Sequence, residues 1–481
     1  MSDFGILSFG AYVPITRLQR SAIHATNGWF AGGLRGLAKG EKAVANWDED
    51  SVTMAVEAAR DALDGIDRAT VQRVAIASTT LPFADRQNAG IVKEALNLPD
   101  AVGALDIAGS QRAATSALLA ALGGGDTTLV TAAEITTPKP ASEREMTSGD
   151  AAAAVLVGAG TPIATLAASH SVTVDFVDHF REAGEAHDYD WEARWVRDEG
   201  FARIMTPAIA ALLKKAGVDA AAIDHFLVPV AVKGVPEMLA KKAGIGEGAV
   251  ADTLGANLGH AGAAHALVML AAALEKAKAG ERILLASFGQ GCDLLLFEVT
   301  GAIGSVKPRL GLSGWLARRI ESTNYAKYLF HRGLLPLDRG MRAEHDSKTA
   351  LTALWRNRKA VLGLVGGRCT KTGTVQFPKS EVSVNANDHA VGTQEDYPLA
   401  EVPAKVMTWT ADALTYSPDP PSYYGNIDFV GGGRMMTEFT DFAAGALDVG
   451  ADLRMMFRIK AYDENRGFRR YFWKAAPAFR D

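Results

Sequence analysis

Two stretches of this 481-residue chain place polar side chains where developing charge can be stabilised. The first, Ala104–Ala121 (ALDIAGSQRAATSALLAA), runs from a short apolar segment ending at Asp106 through a small-residue turn (Ala108, Gly109, Ser110) into an alanine- and leucine-rich helix. Such a strand–turn–helix elbow holds one side chain, here Ser110 or Gln111, at a helix start. There the free N–H groups and the positive dipole end favour negative charge. A glutamine amide is no acyl nucleophile but donates two N–H bonds, which suits an enolate or a thioester oxygen. Ser110 would serve acyl transfer if a base lay within reach. The second stretch, Leu254–Leu274 (LGANLGHAGAAHALVMLAAAL), is a glycine-rich turn entering an apolar helix, and it brings Asn257 and His260 to another helix start. His265 falls on the apolar helix itself and reads as a hydrogen-bonded core histidine.

The elements that must position these residues alternate between strand and helix. Residues 4–13 read as a first strand. Asp50 and Ser51 cap a helix with the apolar face Val52, Ala55, Val56 and Ala59. Segments 71–80, 127–134 and 148–158 read as buried strands. The second half echoes the first, with strands at 223–232, 282–288 and 292–299 and a helix over 261–278. That repetition predicts a duplicated α/β fold. Residues 301–360 turn rich in arginine, lysine and tryptophan and read as a helical connector. Its Arg–aromatic composition suits packing at a domain boundary, with a phosphate-facing role as the sharper alternative. From 361 to 481 short strands with glycine turns predict a small barrel.

A net charge of −5 gives no sign of a nucleic-acid partner, and 48% hydrophobic with 22% charged residues is an ordinary globular balance. The chain shows no signal-peptide pattern at Met1 and no run of eighteen apolar residues, so no membrane span is expected. The two cysteines, Cys292 and Cys369, argue against a disulfide framework and lead to the expectation of a reducing, cytoplasmic setting.

The elbow resembles the nucleophile elbow of the thiolase superfamily, in particular ketoacyl synthase III and 3-hydroxy-3-methylglutaryl-CoA synthase. Asp106, Thr115, Ala117 and Leu118 match, and the catalytic Cys falls on Gln111. EDSVTMAVEAA (49–59) resembles the start of 3-hydroxy-3-methylglutaryl-CoA synthase-like chains, and SGDAAAAVLVG (148–158) resembles a ketoacyl synthase segment. Over residues 1–300 the resemblance implies a five-layer thiolase fold in halves 1–160 and 161–300. It also implies a CoA thioester as substrate, no metal, and a homodimer paired through the edge strand near the elbow. Asn257 matches the Gly-Asn of ketoacyl synthases, and His260 the Leu-Gly-His of thiolases. SFGQGCD matches the loop whose backbone N–H groups form an oxyanion hole, which assigns that part to Gly289 and Gly291. Cys292 then reads as a buried small residue and Asp293 as a minor acid/base candidate. The strand end Ser78–Thr80 lacks the synthases' carboxylate, Leu227–Ala231 lacks the family's His, and His225 lies too early and reads as a strand-edge residue. GGRCTKTGTVQFP (366–378) resembles the zinc-ribbon start of the OB-fold proteins that accompany thiolase-like enzymes. It keeps Cys369 and Gly373 but has Thr372 at the second Cys. One cysteine cannot hold a tetrahedral zinc, so a metal-free or decayed ribbon is expected.

The expectation is therefore an enzyme that makes or breaks a C–C bond beside a CoA thioester carbonyl without an acyl-Cys intermediate, by Claisen or retro-Claisen, retro-aldol or decarboxylation chemistry. The alternatives are a non-catalytic acyl-CoA scaffold and a Ser110-dependent acyltransferase. Loops 81–90 and 175–200 would shape the acyl pocket, with Trp191 and Trp195 hinting at a bulky group.

Overall fold

The computed structural model describes residues 3–305, 307, 309–344, 346 and 348–479. Val306, Pro308, His345 and Ser347 of the expected connector, and the last two residues at each end, lie outside the described residues. Two compact units are present. The first holds residues 1–46, 50–90 and 99–328; the second holds 47–49, 91–98 and 329–481.

In the first unit, nine strands form one hydrogen-bonded array. They are β1 (Asp3–Tyr12), β2 (Arg73–Ala77), β3 (Gly103–Ile107), β4 (Thr128–Glu134), β5 (Ala151–Gly160), β6 (Ala164–Thr173), β7 (His225–Leu227), β8 (Arg282–Phe288) and β9 (Gly291–Val299). Their order is β7–β8–β9–β6–β1–β5–β4–β2–β3. The duplication expected from sequence is visible in the pairings. In one half β2 runs parallel to β4, then β4–β5 and β5–β1 are antiparallel. In the other β7 runs parallel to β8, then β8–β9 and β9–β6 are antiparallel. The halves meet at a single paired position, Ile6 with Ala164. The first half adds β3 parallel to β2, whereas the second adds only an isolated parallel bridge between Phe226 and Val250.

Among the helices beside these strands, three bear on the site. Helix α1 (Ser51–Ala62) starts where expected: the Asp50 carboxylate accepts the N–H groups of Val52 and Thr53 at 3.0 and 2.9 Å, and Thr53 Oγ1 accepts the Asp50 N–H at 2.8 Å. This reciprocal cap satisfies donors a helix start otherwise leaves open. All of α1 is buried, including Glu57 and Arg60, which pair at 2.8 Å. Buried charge of this kind persists only when paired. Helix α2 (Ala113–Gly124) follows β3, and α3 (His265–Leu274) follows the Phe226–Val250 bridge, so the two occupy equivalent places in the two halves. Helix α3 packs on strands of both halves, β1 and β5 as well as β7 and β8. Among the described residues no helix is long and apolar enough to cross a membrane.

The second unit carries a three-stranded sheet of β10 (Val365–Cys369), β11 (Val375–Gln376) and β12 (Gln394–Pro398), ordered β11–β10–β12. It also carries β13 (Ala404–Val406), β14 (Thr410–Asp412), β15 (Ser422–Phe429), β16 (Arg434–Glu438), β17 (Asp452–Asp463) and β18 (Phe468–Pro477), ordered β14–β15–β13–β17–β18 with β16 on β15. The expected barrel is therefore not closed by its ladder. Between the end of β16 and β18 the link is one parallel bridge, Phe439 with Ala475. The interior holds a charge cluster in which Arg458 bonds Asp441 at 2.8 Å and Lys474 bonds Asp48 at 3.0 Å. The expected helical connector is mixed in content. It includes a strand, Ile320–Ser322, that pairs in parallel with Thr16–Leu18, and the break between the units falls within its helix Tyr325–His331.

Candidate active site

The elbow forms as its sequence suggests. Strand β3 ends at Ile107, Gly109 takes φ +89°, and α2 begins at Ala113, leaving Ser110 and Gln111 in the turn ahead of the helix. A positive φ of that size favours glycine. Asp106 is spent on structure: it accepts the N–H groups of Asn88 and Ala89, both at 2.8 Å. Asp293, on β9, fastens the helix to the sheet. Its carboxylate accepts from Arg112 (3.2 Å), Thr115 (3.0 Å), Ser116 (2.9 Å) and Ser171 (2.7 Å). With those donors filling it, Asp293 anchors the elbow and is not placed to move protons.

Gln111 is held from a side the sequence did not indicate. Its Nε2 lies 3.1 Å from Nε2 of His179, whose Nδ1 lies 2.9 Å from Asp178 Oδ2. A carboxylate only accepts, so the His179 proton sits on Nδ1 and Nε2 accepts from the Gln111 amide. The other end of that amide, Oε1, is buried without a hydrogen-bond partner among the described residues. It points toward Gly262, where an added Cβ would lie 3.4 Å from Oε1 and 2.6 Å from Cγ of Glu134. Gly262 has φ +48°, so both backbone and space exclude a side chain there.

Glu134 is a second residue the sequence reading missed. It ends β4 fully buried, and its two oxygens accept the Thr79 N–H at 3.0 Å and the Thr79 hydroxyl at 2.9 Å. Burial pushes its carboxyl above the ordinary range. The strand end Ser78–Thr80 thus meets a carboxylate supplied by the neighbouring strand. The available signal was a lone Glu closing the apolar run TLVTAA.

His260 is brought to the same region. A parallel bridge ties it to Ser148, with Gly149 N–H donating to the His260 carbonyl at 3.0 Å. Its ring lies 4.5 Å from that of His265. Burial, followed by the electrostatic influence of His265, Arg144 and His179, holds its pKa well below that of a free imidazole. A neutral imidazole has one N–H. Its other ring nitrogen carries a lone pair, so His260 can offer the site either a donor or an acceptor. His265 is the core histidine expected: Nδ1 accepts from Ala261 N–H at 3.2 Å, Nε2 donates to the Thr253 carbonyl at 3.0 Å, and burial lowers its pKa to about 4.

The remaining candidates fall elsewhere. Asn257 is exposed, in a turn that closes on the carbonyl of Leu254 (φ +57°). Ser110 donates to the Gly289 carbonyl at 3.2 Å, and among the described residues no base hydrogen-bonds it. The Gly289 N–H is taken by the Gly291 carbonyl at 2.9 Å, which removes it as an oxyanion donor. What Gly289 provides is clearance, since a Cβ there would come 2.8 Å from Ser110 Oγ. Gly291 (φ +104°) lets β9 pass the Val172 carbonyl, which a Cβ would overlap. Cys292 is buried on β9 with its thiol pushed up to about 12, and His225 pairs with Glu281 at 2.8 Å on its strand. Among the described residues no group of three or more His, Cys, Asp or Glu side chains is placed to hold a metal ion.

Residues 213–295 match the family described as 3-oxoacyl-[acyl-carrier-protein (ACP)] synthase III C terminal. A solved structure of MvaS in complex with 3-hydroxy-3-methylglutaryl coenzyme A superposes with a TM-score of 0.59 at 19% identity, covering 70% of this chain and 93% of that one. 3-Oxoacyl-(acyl carrier protein) synthase III, FabH, from Pseudomonas aeruginosa PAO1 gives a TM-score of 0.55 at 21% identity, covering 62% of this chain and 98% of that one. The duplicated sheet and its elbow thus share the fold of these synthases.

Hydroxymethylglutaryl-CoA synthase of Aeropyrum pernix is 32% identical over 346 residues, which are 69% of this chain and 95% of that protein. The Methanosarcina mazei synthase is 29% identical over 346 residues, 69% of this chain and 99% of that one. The chain belongs to the hydroxymethylglutaryl-CoA synthase family.

Proposed function

We propose that the protein acts on CoA thioesters, making or breaking the C–C bond beside the thioester carbonyl without an acyl-Cys intermediate. The observation that carries this reading is the Gln111 amide at the elbow turn, held by His179. The cysteine of the elbow's own unit supports it from the negative side: Cys292 is a buried thiol pushed up to about 12. An N–H donor at that place stabilises the oxygen of an enolate, the intermediate common to Claisen, retro-aldol and decarboxylation chemistry. His260 supplies a lone pair nearby, and Glu134 a carboxyl held toward its neutral form. The names of the relatives, and the coenzyme A ester in the MvaS complex, support the substrate class.

The second unit is read as a partly open OB-type barrel, supported by the strand order β16–β15–β13–β17–β18 and the Phe439–Ala475 bridge. Its ribbon is read as metal-free. Lys371 and Asp388 pair at 2.7 Å, and the Asn385 amide donates to Thr374 at 2.7 Å, cross-linking the loop that zinc would have closed. A homodimer paired along β3 completes the proposal. This strand ends the array, and its Leu105 is 44% exposed.

The test is mass spectrometry of the protein with malonyl-CoA, acetyl-CoA and β-keto and β-hydroxy acyl-CoA esters, beside Gln111→Ala. Products lost in the variant support the reading. A stable acyl adduct on the protein would replace it with a Ser110 or Cys292 mechanism. Binding without turnover would replace it with the scaffold reading.

A further inference from the structure

His179 sits on a small hairpin, His179–Phe180 paired with Tyr189–Asp190, that is strongly braced. Trp191 N–H donates to the Asp178 carbonyl at 2.9 Å, and Asp188 N–H to the Thr137 carbonyl at 3.2 Å. Arg181 bonds Asp188 at 3.1 Å and reaches the Thr79 carbonyl, while Arg144 Nε donates to Asp190 at 2.7 Å. This bracing holds the Asp178–His179 pair against the elbow. The two side chains are only 16% and 12% exposed, shielded but not sealed.

The pair has the form of a base oriented by a carboxylate: Asp178 fixes Nδ1–H and leaves the Nε2 lone pair facing forward. In a nucleophilic triad that lone pair would face a hydroxyl or thiol. Here it faces the Gln111 amide at 3.1 Å, a group with no proton it can usefully remove. With no hydroxyl or thiol hydrogen-bonded to Nε2 among the described residues, the proton left for this base is one on a substrate.

We propose that Asp178–His179 is the acid–base pair that moves the Cα proton of a bound CoA thioester. This rests on the reading of Gln111 as the donor to the thioester oxygen. In the step, the Gln111 N–H leaves His179 and turns to that oxygen. The Nε2 lone pair bonds the Cα proton, and the C–H electron pair becomes the Cα=C bond. The carbonyl π pair moves onto oxygen, where Gln111 holds it. Asp178 stabilises the imidazolium, and the reverse step returns the proton to Cα. No oxidant or reductant enters.

The experiment is deuterium wash-in at Cα of acetyl-CoA, butyryl-CoA and 3-hydroxybutyryl-CoA in D2O, read by mass spectrometry on the full chain, with ester binding measured in parallel by calorimetry. Wild-type protein is expected to exchange at least one ester. His179→Gln is expected to lose about 100-fold or more of the rate, in the range general-base removal gives, with ester binding and melting temperature kept. Asp178→Asn is expected to lose about tenfold or more, and imidazole added to His179→Ala to restore exchange, which a merely structural role would not allow. Wild-type binding without exchange overturns the pair's role and leaves the CoA site standing. Exchange as fast in His179→Gln as in wild type does the same. Exchange undiminished in Gln111→Ala, or no ester binding by wild type, overturns the underlying site reading and this proposal with it.

Discussion

Gln111 occupies the tip of a turn whose geometry would serve a nucleophile, and its neighbours are arranged for an amide. One end meets His179, and the other faces Gly262 beside Glu134. Removing this donor should cost what losing an oxyanion donor costs elsewhere, about 10²–10³ in turnover, with Gln111→Ala read against wild type on the ester that reacts. His265 makes a prediction about acid. Its folded pKa of about 4 lies below the free value of 6.5, so between those values the unfolded chain binds a proton that the native state does not. Stability is therefore full above pH 6.5 and lost as pH falls toward 4, by about 3 kcal/mol from this residue. Denaturant melts at pH 7 and 4.5 should show His265→Gln, which keeps one donor and one acceptor, losing that part of the acid dependence. Gln111 and His260 were legible in the sequence because each lies in a local turn-to-helix word. His179, Asp178 and Glu134 were not, because they reach the site only through sheet pairing and a braced hairpin far away in sequence. Asn257 shows the converse: its word fits, but it lies exposed in the turn that closes on the left-handed Leu254.

At the scale of elements, the segment bearing His260 is positioned by close backbone approach. A Cβ on Gly149 would overlap the Leu258 carbonyl, and one on Gly259 (φ +89°) would overlap the Ser148 carbonyl. Gly149→Ala should push the 258–260 segment off β5, lowering turnover by tenfold or more and destabilising the fold by about 1–3 kcal/mol, checked by kinetics and thermal melting together. The ribbon predicts a negative result that zinc-held loops do not give. A chelator should leave the melting temperature unchanged, while Lys371→Ala, which removes the pairing with Asp388, should lower it slightly. Most strands of the first unit could be read from sequence because both of their faces are buried, as with TLVTAAE and RILLASF. Strand β6 (ATLAASHSVT) was not, since it is half-exposed and mixes small and polar residues without alternation. Trp191 and Trp195, taken as hints of a bulky substrate, are 52% and 49% exposed.

For the whole molecule, the duplication sets what the site is made of: the elbow turn comes from one half and the His260 turn from the equivalent place in the other. Dimerisation along β3 should bury Leu105, so light scattering should report a dimer for wild type and a shift toward monomer for Leu105→Lys.

The two halves also differ at their outer edges. One edge is a full strand, β3, while the other is the three-residue β7 with its neighbour reduced to the Phe226–Val250 bridge. A chain with two good edges can recruit copies at both ends and polymerise without limit. Under the proposed pairing along β3, a second copy would leave only the stub edges facing outward, so the asymmetry left by the duplication would act as a chain terminator for assembly.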